Sequence, residues 1–520
     1  MLIVLAGTSL AVLVPLLLKG RPLSGADGLL ASDQLQYFAW IREASEHVLI
    51  GNRYDFAPGD RVFLHPGYLI SGLLHRVTGL SIPLSYLLPW KPIAVGLTFA
   101  GSLLYVRRLL AGRAQRRIGL VLALFAVMPA SAIVAWSGIG DKPLAFSFDF
   151  ISGELWSGQY LLGYLMTAIA VFLMPLVLLA VESWRRTGRP FTLVLVATGA
   201  LLITWLQPWQ GATIALIVVA TELLVSLRGR TRPRAAALAV PVAVAIPAGY
   251  YFALSRLDPA WQLAAESNAA GALAEWRWPW WAMALTVLPL ALPAAIAYRL
   301  PAPTWQDVAV RVWPFAGLAV YLLPIGTFPY HAFQGLTLPL AILAVVGFTS
   351  VRPRPRPWLI VAALVLLIVP GFVHKLELAA NSIRTAGDPY FILPDERRAL
   401  QRLEDDPRPG GVLAPSYAGQ MIPFTTGRKT YVGALSWTPD WSRRARNAND
   451  LAEGKLSAAT AREVVRSSGA RFLFVDCRPR LPDLTYQLGE LVERSERFGC
   501  ARLYTLRANP GTEIPGRPDQ

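Results

Sequence analysis

The 520-residue chain is 54% hydrophobic and 16% charged, with a mean hydropathy of +0.43. That is too apolar for a soluble domain and fits a polytopic membrane protein. Its 49 Lys and Arg exceed its 33 Asp and Glu, but the basic residues fall in short clusters between apolar runs, a topology signal that argues against nucleic acid as a partner.

Apolar runs of about bilayer length predict eleven spans, at 1–18, 83–106, 118–136, 160–182, 191–206, 209–227, 235–254, 279–298, 312–326, 333–350 and 358–374. Residues 1–18 read as a retained first span, because no basic stretch precedes them and no small-residue cleavage site clearly follows. Pro175, Pro241, Pro247, Pro293 and Pro339 fall inside spans, where neighbouring helices can re-satisfy the backbone. The connections alternate in charge. One set carries Arg107, Arg108, Arg113, Arg116 and Arg117, then Arg185, Arg186 and Arg189, then Arg228, Arg230, Arg232 and Arg234. It continues with Arg299 and Arg311, then Arg352, Arg354 and Arg356, and contains a single acid, Asp307. The other set, 19–82, 137–159 and 255–278, holds most of the carboxylates. The positive-inside rule then predicts a plasma-membrane protein with a cytoplasmic N-terminus and an extracytoplasmic C-terminal region. Glu222 reads as a cytoplasmic-end partner of Arg228.

Residues 375–520 have mixed composition and nothing long enough to span. GVLAP (411–415), KTYVG (429–433), RFLFVD (471–476) and RLYTLR (502–507) predict strands, and 395–406, 457–468 and 482–495 predict helices. The predicted fold class is therefore an α-helical polytopic membrane domain over 1–374, followed by an extracytoplasmic α/β domain over 375–520. Cys477 and Cys500 both fall in the latter, either as a disulfide or as two buried thiols, structural in both cases.

The loop 19–82 gathers Asp27, Asp33, Glu43, Glu46, Asp55 and Asp60 with His47 and His65. From Asp33 to Val48 the apolar positions recur at helical spacing, predicting an amphipathic helix along the membrane surface with Asp33 near the outer end of the first span. A carboxylate there could deprotonate a hydroxyl or hold a divalent cation against a phosphate. It could equally be an N-cap. In the second external loop, Asp149 and Glu154, near Asp141 and Lys142, suit a cation site or sugar hydroxyls, or a solvated loop anchored by Phe146, Phe148 and Phe150. Lys91, in PWKP, could meet a lipid phosphate or Asp33, or snorkel to the headgroups. His331 in FPYHAFQG and Gln207, Trp209 and Gln210 in QPWQG sit on tight external turns, as ligand-binding groups or interface anchors. In the tail, Arg428, Lys429, Tyr431, Trp437, Trp441, Arg443 and Arg444 combine basic and aromatic groups, for a glycan or phosphate surface or for packing. No Walker loop, HExxH, GxSxG or CxxC occurs, so nothing indicates ATP hydrolysis, zinc peptidase or serine hydrolase activity.

An acid just after the first span, an amphipathic helix, RYDF (53–56) and HPGYLISGLLHRVTG (65–79) together resemble the C-type (GT-C) glycosyltransferase superfamily. Its members include protein O-mannosyltransferases, aminoarabinose transferases and oligosaccharyltransferase catalytic subunits. DQLQYFAWIREASEHVLIGNRYDF (33–56) is similar in layout to the oligosaccharyltransferase stretch in which an Asp precedes an aromatic, an Arg and a second Asp. SGELWSGQYLLGY (152–164), WLQPWQGAT (205–213), FPYHAFQGLTLPLAILA (328–344) and TTGRKTYVGALSWTPDW (425–441) resemble actinobacterial membrane proteins grouped with the superfamily. The resemblance implies transfer of a sugar, mannose among the candidates, from a polyprenyl-phosphate donor on the external face to a glycan, lipid or protein acceptor. It makes Asp33 the catalytic or metal-binding acid, with Asp55 a second match and Mg²⁺ or Mn²⁺ the expected metal where one is used. The chain lacks the WWDYG motif and the adjacent Asp-Glu pair of the protein O-mannosyltransferases. The alternative on the same scaffold is a non-catalytic lipid-linked-sugar transporter or glycan-binding subunit, although the internal repeats of a transporter are not evident.

Overall fold

The computed structural model describes residues 1–57, 59–273, 279–323, 328–351, 356–385, 389–478 and 483–507. Arg352 and Arg354, assigned above to a cytoplasmic loop, lie outside the described residues. Among those described, seven helices are long and apolar enough to cross a membrane: Ile82–Leu109, Leu165–Thr187, Pro208–Gly229, Ala239–Leu257, Trp280–Ala297, Pro329–Ser350 and Pro357–Arg384. Helices Arg113–Phe125 and Ala130–Ser137 qualify only together, with a 50° bend between them. The multi-pass membrane class is as predicted, but eleven spans are not found.

The three remaining predicted spans fail for separate reasons. Residues 1–18 break into Leu2–Thr8 and Leu13–Leu18. Thr8 and Ser9 turn their hydroxyls onto the carbonyls of Val4 and Ala6, and Pro15 has no N–H to continue the ladder. Residues 191–206 form Pro190–Leu206, apolar but only 17 residues long and followed at once by Pro208. Residues 312–322 belong to Trp305–Leu322, whose first half carries Asp307 and Arg311, and 324–326 lie outside the described residues.

The chain divides into two compact units. One comprises 1–12, 88–255 and 268–381, the other 13–87, 256–267 and 382–520. In the first, Leu165–Thr187 is buried on nearly every side. Gly347 faces the Pro293 carbonyl so closely that a Cβ would collide with it, which lets helices Trp280–Ala297 and Thr337–Ser350 approach backbone to backbone. Buried ion pairs lock the basic helix ends: Arg108 with Glu182, and Arg185 with Glu222. Glu222 thus pairs with Arg185, not Arg228, because a residue across the bundle is nearer than one further along its own helix. Its other oxygen accepts from the Arg234 N–H at 2.9 Å.

The second unit contains a four-stranded sheet of order β1-β2-β4-β3, with β1 Val412–Leu413, β2 Phe472–Val475, β3 Val492–Phe498 and β4 Ala501–Leu506. β1 and β2 are parallel, whereas β4 runs antiparallel to both β2 and β3. The strand predicted at 429–433 reduces to one bridge, Thr430 to Val412. The helix predicted at 482–495 holds only for Leu484–Leu488 among the described residues. From 492 the chain is edge strand β3, whose Glu-Arg-Ser-Glu-Arg run keeps charge on a free edge and blunts it against further pairing. Helices Pro394–Glu404 and Ala458–Ser468 match their predictions. Leu413, Leu451, Leu473, Val475 and Leu506 form the core. Cys477 and Cys500 are bridged, their Cα atoms 4.9 Å apart, tying the end of β2 to the start of β4.

The helix predicted from Asp33 exists, as Ala31–Glu46. It is packed between Pro66–Thr78 and Ser416–Thr426, with Leu35, Phe38, Ile41 and also Gln34 and Glu43 buried. Gly72 makes the first contact possible, since a Cβ there would sit 2.6 Å from the Ala44 backbone.

The bridge closes a loop of 23 residues, for which the chain-entropy contribution is about 3 kcal/mol. Replacing both cysteines by alanine is expected to lower the thermal midpoint of the second unit, measured by intrinsic fluorescence, with no further change on adding reductant. Asp476, next to the bridge, is wholly buried, and its Oδ2 has no hydrogen-bond partner. Burial pushes its carboxyl up to about 6, against about 3.9 in an unfolded chain. The folded protein therefore keeps a proton that the unfolded chain has lost, so stability falls as pH rises from about 4 to 6 and stays lower above. Asp476→Asn, which still accepts from the Arg478 N–H, is expected to raise the midpoint at pH 7.5 and to lose that advantage near pH 4.

Candidate functional site

In the membrane unit, the predicted loop 137–159 is largely the helix Lys142–Leu155. Asp141 is its N-cap, accepting from the Leu144 N–H at 2.9 Å, and Pro143 fits the first turn. The helix presents two acids, each against an imidazole. Asp149 Oδ1 lies 2.7 Å from His374 Nε2, and the Asp149 backbone carbonyl accepts from Lys375 Nζ at 2.6 Å. Glu154 Oε2 lies 3.2 Å from His331 Nδ1. The Glu154 side chain is 5% exposed and that of His331 29%, so the imidazole is the member that solvent reaches.

Around His331 a chain of amides closes the network. Gln334 Nε2 lies 3.0 Å from His331 Nδ1, Gln207 Nε2 donates to Gln334 Oε1 at 3.1 Å, and Gln210 Nε2 donates to the His331 carbonyl at 2.8 Å. Tyr160 fixes the other side: its hydroxyl donates to the Glu154 carbonyl and accepts from the Gly335 N–H at 3.0 Å. Four candidates chosen singly from the sequence, Asp149, Glu154, Gln210 and His331, thus belong to two acid–imidazole pairs and their supporting amides on one short helix and its neighbours. The sequence reading missed His374, Lys375, Gln334 and Tyr160. The signal was present in the first two: a His-Lys pair closing an apolar span marks function by default, because charge is costly there.

Lys91, between Pro89 and Pro92 of the span Ile82–Leu109, is buried. It donates to the Ser9 carbonyl at 2.7 Å and the Leu161 carbonyl at 3.4 Å. One donor is spent on the break in the N-terminal segment, where the helical ladder is interrupted.

In the second unit, Asp33 is the third residue of Ala31–Glu46 and half-buried. The N-cap is Leu30, which offers no side-chain cap, so Asp33 does not cap the helix. It sits in the first turn, where the helix dipole favours a carboxylate. Asp27 and Gln34 brace the approach to this turn. Gln34 Nε2 donates to Asp27 Oδ1 at 2.9 Å, and Gln34 Oε1 accepts from the N–H groups of Asp27 and Gly28 at 2.8 and 2.6 Å. Tyr390 reaches the Gly28 carbonyl at 2.9 Å. The buried Glu43 is held by Arg53 and by Arg61, the latter at 2.6 Å.

The other candidates in this unit have structural partners. Asp55 accepts from Arg444 at 2.8 Å. Arg428 donates to the carbonyls of Leu403, Asp406, Arg408 and Gly410, and stacks 4.6 Å from the Phe472 ring centre. Trp437 is wedged edge-on between Trp40 and Trp261 at 5.4 and 5.2 Å. A cavity of about 340 Å³ opens among Arg42, His75, Ile392, Arg397, Gln401 and Phe424. Asp33 is not among the residues that line it.

The donor sets do not fit a divalent cation. Among the described residues the one grouping of three His, Cys, Asp or Glu ligand atoms is Asp395 with Cys477 and Cys500. Both sulfurs are in the disulfide, leaving no thiolate. Asp149 and Glu154 are each taken up singly by an imidazole, His374 and His331, and do not share one site.

No protein-family profile and no curated protein matches the sequence. Solved structures do. The apo oligosaccharyltransferase of Archaeoglobus fulgidus superposes with a TM-score of 0.51 at 12% identity, over 92% of this chain and 69% of its own. The same protein with Zn and sulfate gives 0.46 at 13% identity, over 92% and 68%. ArnT from Cupriavidus metallidurans, bound to undecaprenyl phosphate, gives 0.47 at 11% identity over 97% and 96%. The last two likenesses are too loose to align individual residues. The first shows that the chain shares its fold with that oligosaccharyltransferase.

Proposed function

We propose that the chain is a membrane glycosyltransferase that moves a sugar, mannose being the first donor to test, from a polyprenyl phosphate to an acceptor outside the cytoplasm. The observation that carries this reading is the fold, shared over 92% of the chain with an oligosaccharyltransferase. Asp33 supports it: a half-buried carboxylate in the first turn of a helix whose N-cap residue is Leu30.

In this reading Asp33 is the general base. It takes the proton of an acceptor hydroxyl as that oxygen attacks the anomeric carbon, the bond from that carbon to the phosphate oxygen breaks, and the lipid phosphate leaves with the electron pair. Attack opposite the leaving group inverts the anomeric centre. Within the membrane unit taken by itself, His331, Gln210 and Glu154 gather donors and acceptors at a half-buried imidazole, groups suited to sugar hydroxyls. In this reading the Arg-rich loops are cytoplasmic, the shorter helices Pro190–Leu206 and Trp305–Leu322 crossing as well, and the C-terminal region and the acids lie outside. No step passes through a metal.

One observation favours a second reading. Two acid–imidazole pairs in the membrane unit, Asp149 with His374 and Glu154 with His331, are the elements of a proton relay, as a coupled lipid-linked-sugar transporter would need.

The test is transfer of radiolabelled sugar from polyprenyl-phosphate mannose into membranes bearing the wild type or Asp33→Asn at equal expression. Transfer by the wild type and a loss of 100-fold or more in the variant are expected, in line with removal of a general base. Equal transfer by both would remove Asp33 from the mechanism. Transfer by neither, together with proton-coupled uptake lost in Glu154→Gln, would establish the transporter instead.

A further inference from the structure

The cavity of about 340 Å³ in the second unit falls within the range of ligand-binding cavities, ~300–1,000 Å³. One wall is a single face of helix Pro394–Glu404, where Arg397, Leu400, Gln401 and Glu404 recur at i, i+3, i+4 and i+7. Another wall is Ser81, Ile82 and Pro83, at the start of the span Ile82–Leu109. The cavity therefore lies at the depth where hydrocarbon gives way to headgroups.

Two guanidinium groups line it, and they differ in their partners. Arg42 is answered by Glu404 at 2.9 Å and Glu46 at 3.6 Å. The Arg397 side chain has no hydrogen bond or ion pair with any described residue, and neither has the Gln401 amide. His75 holds its Nδ1 on the Leu80 carbonyl at 2.6 Å. In the neutral ring the proton is then on Nδ1, which leaves Nε2 as an acceptor. Ile392, Leu400 and Phe424 supply the apolar part of the lining.

An unanswered guanidinium, an amide and an imidazole acceptor beside apolar side chains match a phosphodiester that carries hydroxyls. At the end of a span, acyl chains in the bilayer would hold such a group in place, and basic pockets at this depth suit anionic headgroups. We propose that the cavity takes the headgroup of an anionic phospholipid of the phosphatidylglycerol type, its phosphate on Arg397 and its hydroxyls on Gln401 and His75. Asp33 does not line the cavity, so this lipid is distinct from a sugar donor reacting at Asp33, and the proposal does not depend on the transferase reading.

The test is native mass spectrometry of the full chain released from detergent micelles. It is titrated with phosphatidylglycerol or with phosphatidylcholine of the same acyl chains. The wild type is expected to retain a first phosphatidylglycerol at about a tenth of the concentration needed for phosphatidylcholine, the margin of a hydrogen bond to a charged group. Arg397→Gln is expected to lose that preference. Arg397 is exposed, so its replacement leaves the fold intact. Arg446→Gln removes an exposed guanidinium of the same unit outside the cavity and is expected to keep the preference. Equal retention of both lipids by the wild type would overturn the proposal, as would an unchanged preference in Arg397→Gln. Displacement of the lipid by equimolar soluble glycerophosphoglycerol would also overturn it, by assigning the cavity to a free phosphodiester.

Discussion

A charge or polar group taken out of water must be answered from within the chain, and in the membrane unit that demand decides which side chains meet. The Glu154 carbonyl takes the Tyr160 hydroxyl, the His331 carbonyl takes Gln210, and the Asp149 carbonyl takes Lys375. In each case the backbone of a short or irregular segment is satisfied by a side chain from a long helix or its tight turn, as a low dielectric requires. The result is a helix, Lys142–Leu155, that is too short and too polar to be a span yet is held rigidly by partners. The acids and imidazoles keep fixed positions because their own backbones cannot move.

The second unit answers the same constraint with salt links. Glu43 is buried against two guanidinium groups, and Arg428 ties together four carbonyls of the turn after Pro394–Glu404. Removing one partner of such a set leaves the others desolvated, which costs more than the set contributes.

Much of this was legible in the sequence, unevenly. The membrane class and seven of the eleven spans could be read because hydrophobic length is a one-dimensional property. The helix at Ala31–Glu46 could be read for the same reason, but its surroundings could not. Apolar residues at helical spacing say that a face is buried, not whether lipid or protein buries it, and Gln34 and Glu43 on the buried side gave no warning. Likewise Arg428 and Trp437 had the composition of a binding surface, while their partners lie far along the chain. Asp149 and Glu154 were identifiable as candidates. That His374 and Lys375 would meet Asp149 was not, since the pairing spans over 200 residues.

The division of the chain carries a consequence for biogenesis. Helix Ala31–Glu46 finishes its packing only against Ser416–Thr426, while the membrane helices are encoded between them. At a synthesis rate of about 5–20 residues per second, that helix waits on the order of tens of seconds with Phe38 lacking its edge contact with Phe424. The membrane helices are therefore made before that helix has its last partner. Loss of the last hundred residues would strand this early segment as well, making the start of the chain dependent on its end for protection against aggregation and proteolysis.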